Sequence, residues 1–253
     1  PPPGIVIGDA APAGPRAATE GAAIPAGSPA PDGVALDIRP AAGAPMPAPG
    51  RIGRLLARRW PRRLVAFAGG ATGVLALAPF DLVPAMVVAF TALVLALDGA
   101  IRPRDTLRAR ARAAAGAGWW FGFGYFLAGL WWVGAAFLVD AERFAALMPI
   151  AVAGLPAGLA LFPALGAALA ALAWRGGALR ILALAAGLTA SELLRQTILT
   201  GFPWNAYGYM LTGSLPLAQA ASLVGVNGLT FLAVAAGAAP AAFLDGPRLA
   251  PRA

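Results

Sequence analysis

The chain has 253 residues, of which 59% are hydrophobic and 12% charged, with a mean hydropathy of +0.73; soluble domains carry about 25% charged residues, so the balance points to an integral membrane protein. Cys and His are both absent, which excludes disulfides, thiolate or imidazole metal sites, a Cys nucleophile and a His general base within these residues. The net charge is +8 and every basic residue is Arg; the Arg residues cluster beside apolar runs, the juxtamembrane pattern, which argues for a lipid bilayer and against nucleic acid as the partner.

Residues 1–50 are rich in Pro, Ala and Gly, with few large apolar side chains. Such a segment cannot bury enough surface to offset its ordering entropy, which predicts a disordered tail. It lacks the apolar core of a signal peptide. It begins "PPPG" without an initiator Met, so an excerpt of a longer chain is expected. Residues 51–63, "RIGRLLARRWPRR", form a basic juxtamembrane segment holding Arg51, Arg54, Arg58, Arg59, Arg62 and Arg63. A transmembrane helical domain is expected over 64–245, with 246–253 as a cytoplasmic end.

Apolar runs fall at about 64–78, 83–97, 116–139, 146–173, 178–199 and 216–244. A spanning helix needs roughly 20 residues. The first two runs are short, and together they are too long for one straight span. "APFDLVP" (Ala78 to Pro84) supplies a turn between them, which predicts two helices, with a re-entrant hairpin as the alternative. "RPRDTLRARAR" (Arg102 to Arg112) holds five Arg, "DAERF" (Asp140 to Phe144) one Arg against two acids, "WRGGALR" two Arg and "GFPWNAYGYMLTGS" none. Six spans with a cytoplasmic N-terminus put the Arg-rich segments on one side and the others opposite; five or seven break the alternation. The expected fold class is all-α: a polytopic helical membrane bundle of about six transmembrane helices, preceded by the Pro/Ala/Gly-rich tail.

Small residues four apart (Gly69 and Gly73, Gly118 and Gly122, Gly154 and Gly158) suit close helix packing, though Gly is abundant at 32 residues. Pro149, Pro156 and Pro163 are tolerated in a membrane helix and are candidates for kinking it.

Glu192 and Arg195 stand near the outer end of the fifth run, and at i, i+3 they share a helix face. Intramembrane charges are costly and face the protein interior, paired. They read equally as a structural ion pair and as a polar site that meets a lipid headgroup or positions the following loop. That loop, "GFPWNAYGY", offers Trp204, Asn205, Tyr207 and Tyr209, and Gly201 and Pro203 force a turn. Its rings also suit a plain interfacial belt. Asp81 reaches the same outer surface, or serves its own turn. In "GWWFGFGYFLAGLWW" (Gly118 to Trp132), Trp119 and Trp120 are expected at the inner interface. The interleaved Gly residues admit another backbone or an acyl chain.

"LAPFDLVPA", "GWWFGFGYFLAGLWWVG", "LFPALGAALA" and, most specifically, "SELLRQTILTGFPWNAYGY" resemble the N-terminal membrane domain of bacterial apolipoprotein N-acyltransferases, in the same order and spacing over about 60 to 245. "SLVGVNGLTFLAVAAGA" fits the helix that follows in that family. The resemblance implies transfer of an acyl chain from a phospholipid donor to the free α-amino group of the N-terminal Cys of a diacylated lipoprotein acceptor, at the outer face of the inner membrane. It implies a thioester on a Cys, with a Glu base and a Lys, in a nitrilase-like domain beyond the helices. Cys and Lys are both absent here, so no catalytic residue carries over, and the chain alone is expected to be catalytically incompetent. No cofactor and no metal are expected. The substrate-binding or loop-bracing candidates are Glu192, Arg195, Trp204, Asn205, Tyr207 and Asp81. The alternatives are a non-catalytic lipid- or lipoprotein-binding membrane scaffold and a small permease.

Overall fold

Proline and one threonine set where the helices of this chain begin. Pro61 falls in the first turn of a helix over Arg59–Gly73, Pro84 opens Pro84–Ala100, and Pro216 lies in the first turn of Leu215–Ala238; the missing N–H of Pro costs nothing at those positions. Thr106 caps Leu107–Leu130, its hydroxyl accepting from the Ala109 N–H at 3.3 Å. These starts belong to a computed structural model that describes residues 51–102, 104–198 and 201–244, the side chains of Arg51 and Ile52 excepted. The tail expected over 1–50, the end at 246–253, and Leu199 and Thr200 lie outside the described residues.

In chain order the helices are α1 (Arg51–Leu56), α2 (Arg59–Gly73), α3 (Pro84–Ala100), α4 (Leu107–Leu130), α5 (Ala141–Phe144), α6 (Met148–Leu159), α7 (Leu161–Leu172), α8 (Ala178–Thr197), α9 (Leu215–Ala238) and α10 (Pro240–Phe243). Short 3₁₀ segments cover Val74–Ala76, Trp131–Leu138, Ala145–Leu147 and Tyr207–Leu211. The fold is all-α, and the described residues contain no strand.

The apolar runs each became helix, with corrected ends. α2 starts at Arg59, so the basic segment is itself largely helical, and α4 starts at Leu107, inside the Arg-rich loop. The fourth run divides at Ala160 between α6 and α7. Pro163 causes the break: its ring would collide with the Leu159 carbonyl four residues earlier. α9 breaks at Gly225, whose φ of 68° lies in the left-handed region that only Gly enters freely.

Among the described residues three stretches are long and apolar enough to cross a membrane: Leu107–Leu138, Ala141–Leu172 and Leu215–Phe243. α3, with 17 residues, is shorter. α8 has 20 residues but carries Arg180, Glu192 and Arg195.

The helices close into a ring. α3 packs on α2, α2 on α4, α4 on α7, α7 on α8, α8 on α9, and α9 returns to α3. Phe90, Phe121, Tyr125 and Tyr207, each 0% exposed, fill its centre. Glycine brings the walls together. A Cβ on Gly70 would meet the Phe121 carbonyl, and one on Gly124 the Phe67 carbonyl, so α2 and α4 touch backbone to backbone. Gly118 and Gly122 receive Pro163 and Ala160 of the broken fourth run. The glycines of the aromatic run therefore admit neighbouring helices. Gly69 and Gly73 pack on Ala92 and Ala89, whereas nothing lies within 4 Å of a Cβ on Gly154 or Gly158.

The two ends of the ring differ in charge. At one end Arg62 donates to the Gly99 carbonyl at 2.9 Å, and Arg110 to the Trp174 carbonyl at 2.6 Å. The Trp174 indole donates to Asp98 at 3.0 Å, and Arg180 pairs with Asp98 at 3.6 Å while donating to the Ala241 carbonyl at 2.9 Å. The Arg-rich segments expected on one side thus converge. Arg63 lies over the rings of Trp60 and Trp120, at 5.1 and 5.8 Å, which places Trp120 towards this basic end. Trp119 instead donates to the Ala157 carbonyl at 3.1 Å.

Candidate functional site

The opposite end is closed by the segment Gly201–Leu211. Gly201 turns the chain with φ 81°, and its N–H reaches back to the Ile198 carbonyl at 2.8 Å. Asn205 holds φ 54°, a left-handed conformation that Asn tolerates better than most side chains. The chain then dips inward. Ala206, Tyr207, Gly208 and Met210 are all buried, and the Gly208 N–H donates to the Thr230 hydroxyl at 3.0 Å.

Glu192 and Arg195 hold this segment. Both are 1% exposed. Arg195 grips the carboxylate with two nitrogens, Nε to Oε1 at 3.1 Å and Nη2 to Oε2 at 2.7 Å. Its remaining nitrogen donates to the Phe202 carbonyl and, at 2.9 Å, to the Trp204 carbonyl. The Phe202 N–H in turn donates to the Arg195 carbonyl at 3.1 Å. The guanidinium plane sits 5.2 Å from the Phe126 ring centre. All three nitrogens of this guanidinium donate to protein acceptors, an arrangement that a point-charge ammonium could not reproduce.

The other sequence candidates separate into two groups. Trp204 is 47% exposed and stacks on Trp132, with centroids 5.1 Å apart and planes 28° apart. Asn205 accepts the Tyr125 hydroxyl on its backbone carbonyl at 3.0 Å, and its side-chain amide packs on Gly129. Tyr207, by contrast, is 0% exposed and points into the ring, with Tyr125 and Phe90 at 5.0 and 5.4 Å. Its hydroxyl has no hydrogen-bond partner. Asp81, exposed and with φ 49°, packs against Gly213 just beyond the segment. It shares the face, while the structure gives it no contact with the Glu192–Arg195 pair.

The two tyrosines differ in what their hydroxyls do. Tyr125→Phe is expected to cost about 1 kcal/mol, the net worth of its bond to Asn205. Tyr207→Phe is expected to be neutral or stabilising, because it removes a buried polar atom that nothing satisfies. Thermal unfolding of both variants in detergent checks the contrast, and equal losses would contradict it.

Sequence reasoning missed Phe126, Tyr125 and Trp132 as partners of this segment. Tyr125 and Phe121 are four apart on α4 and share a face, a spacing that could have marked that face as inward. Nothing local could have tied Trp132 to Trp204.

A ring of apolar helices with a buried carboxylate–guanidinium pair pinning an aromatic segment across one end defines a polytopic membrane domain. Residues 69–239 match the profile of the family described as the apolipoprotein N-acyltransferase N-terminal domain, and the chain belongs to that family. It is 54% identical over 194 residues to the apolipoprotein N-acyltransferase of Rhodopseudomonas palustris, covering 77% of this chain and 36% of the relative. It is 54% identical over 186 residues to that of Bradyrhizobium diazoefficiens (74% and 34%) and 50% identical over 199 residues to that of Brucella suis (78% and 37%). The chain thus spans about a third of the length of these relatives.

Proposed function

We propose that this chain is the membrane domain of an apolipoprotein N-acyltransferase. The enzyme would transfer an acyl chain from a phospholipid to the N-terminal Cys amine of diacylated lipoproteins. The family match over 69–239, which takes in the whole Glu192–Arg195 site, carries the reading. With no Cys and no Lys among these 253 residues, the thioester chemistry falls to residues outside them, and these residues alone are catalytically incompetent. Their part is to anchor the enzyme in the cell inner membrane, to admit lipid and to present a fixed surface to the reacting groups.

In this reading Glu192 and Arg195 brace the segment, Tyr207 and Asn205 anchor it from within, and Trp204 with Trp132 forms the exposed aromatic surface that lipid meets. Among the described residues Phe90, Phe121, Tyr125 and Tyr207 fill the ring centre, which favours this reading over a small permease.

The complete gene product, supplied to cells depleted of N-acyltransferase activity, should restore N-acylation of diacylated lipoprotein; failure to do so would sink the reading. Trp204→Ala in the complete enzyme is expected to raise KM for phospholipid by up to about tenfold, the worth of one aromatic contact, and to cost about 1 kcal/mol of stability from the lost stack on Trp132. An unchanged KM would remove Trp204 from the lipid surface. The orientation follows from the charge of the two ends, with the N-terminus and the Arg-rich end cytoplasmic across six spans. A reporter active only in the periplasm should therefore be active at Ser214 and silent at Arg108.

A further inference from the structure

We propose that a pocket at the basic end, away from the Glu192–Arg195 site, binds the phosphate of an anionic phospholipid headgroup. The pocket holds about 260 Å³ and is lined by Asp98, Ile101, Arg110, Trp174, Arg175, Gly176 and Arg180. One water takes about 30 Å³, so a phosphate diester fits.

Among the described residues three guanidiniums and one carboxylate line it. That carboxylate is already engaged: Asp98 accepts the Trp174 indole at 3.0 Å and pairs with Arg180 at 3.6 Å. Arg110 donates one nitrogen to the Trp174 carbonyl, while its buried Nε has no partner. Among the described residues neither Arg110 nor Arg175 has a carboxylate within ion-pair distance. A buried N–H without an acceptor is costly, and a phosphate oxygen would satisfy it.

The surroundings favour a lipid over a soluble anion. Leu172 and Leu179, which flank the lining residues Trp174, Arg175, Gly176 and Arg180 in sequence, are 55% and 47% exposed, so the α7–α8 turn that carries the pocket also presents apolar surface. Gly176 and Gly177 keep the α7–α8 turn slim, and Gly177, at φ 75°, holds a conformation that side chains resist. Basic pockets between membrane helices are where acidic headgroups bind. The site lies at the end of the ring opposite the pinned segment, so it does not overlap the proposed acyl-transfer surface, and it does not depend on that activity.

The test uses the complete protein, purified and delipidated in detergent, with native mass spectrometry and thermal unfolding as readouts. Phosphatidylglycerol is expected to bind and raise Tm, and phosphatidylcholine to do neither. Arg175→Gln and Arg110→Gln should each weaken phosphatidylglycerol binding about fivefold, the effect of one Arg near an acidic headgroup. Arg108→Gln, on the exposed side of α4, should bind as wild type. Arg175 is exposed and accepts Gln without a packing penalty, so its result stands even if Arg110→Gln unfolds. Equal binding of the two lipids, or wild-type affinity in Arg175→Gln, would overturn the proposal. Displacement of phosphatidylglycerol by millimolar inorganic phosphate would also overturn it, assigning the pocket to a soluble anion.

Discussion

Replacing Arg195 by Ala is expected to destabilise the domain by about 3–5 kcal/mol, the cost of leaving a buried charge without its partner. Glu192 would remain 1% exposed with no cation to balance it. The carbonyls of Phe202 and Trp204 would lose their shared donor at the same time. Arg195→Lys keeps the charge but not the planar fork, so it should fall between wild type and Ala. The double change Glu192→Leu with Arg195→Met removes both charges and should recover much of the stability. It does not restore donors to the two carbonyls, so cleavage by added protease around Gly201–Asn205 should stay faster than in wild type. Unfolding in detergent and limited proteolysis separate the two effects. If Arg195→Ala unfolds within about 0.5 kcal/mol of wild type, as an innocuous surface change would, the pair does not hold the segment.

Equal-looking glycines should respond very differently to one added methyl group. Gly70→Ala and Gly124→Ala put a Cβ into the backbone of the facing helix, at Phe121 and Phe67. Backbone cannot rotate away as a side chain can, so each should cost about 3 kcal/mol, the upper end for overpacking. Gly154→Ala and Gly158→Ala meet nothing within 4 Å. They should be neutral, or stabilising by up to about 1 kcal/mol from helix propensity. Denaturation midpoints of the four variants settle the contrast; similar losses at Gly158 and Gly124 would contradict the crossing.

That contrast shows where sequence reading reaches its limit. The spacing of Gly118 and Gly122 and that of Gly154 and Gly158 are identical, yet only the first pair faces another helix. Spacing gives the stripe; only the tertiary arrangement says what covers it. Gly70 and Gly124 belong to none of the pairs the spacing rule picked, although their contacts are backbone to backbone. The apolar runs were legible because a helix that spans a bilayer needs length and greasiness, which a single sequence displays. The break at Ala160 was legible only as one of three candidate kinks, at Pro149, Pro156 or Pro163, and Pro156 lies inside α6 without breaking it; the break at Gly225 was not legible, since Gly is common throughout and most glycines leave a helix intact.

The site shows the same division. Glu192 and Arg195 were visible as a pair because i, i+3 on a helix is a local relation. That Arg195 reaches the following loop was one of the readings the pair allowed; which carbonyls it takes, Phe202 and Trp204, was not legible, nor was the inward dip of Tyr207. A loop rich in Trp, Tyr and Asn suits an interfacial belt, and only the contacts with Phe90 and Tyr125 separate the anchoring ring from the exposed one.

The seam between α3 and α9 bears on how the domain is made. The Thr91 hydroxyl donates to the Gly237 carbonyl at 3.2 Å across 146 residues of chain. As the polypeptide emerges from the ribosome, α3 and α4 meet α2 already synthesised, α7 meets α4, and α8 meets α7. α3 must wait for α9 with one flank uncovered, including the face of Phe90 that later receives Gly237. Ring closure therefore waits for α9, and until it happens the half-built bundle exposes a flank that bilayer lipid or a membrane chaperone has to cover.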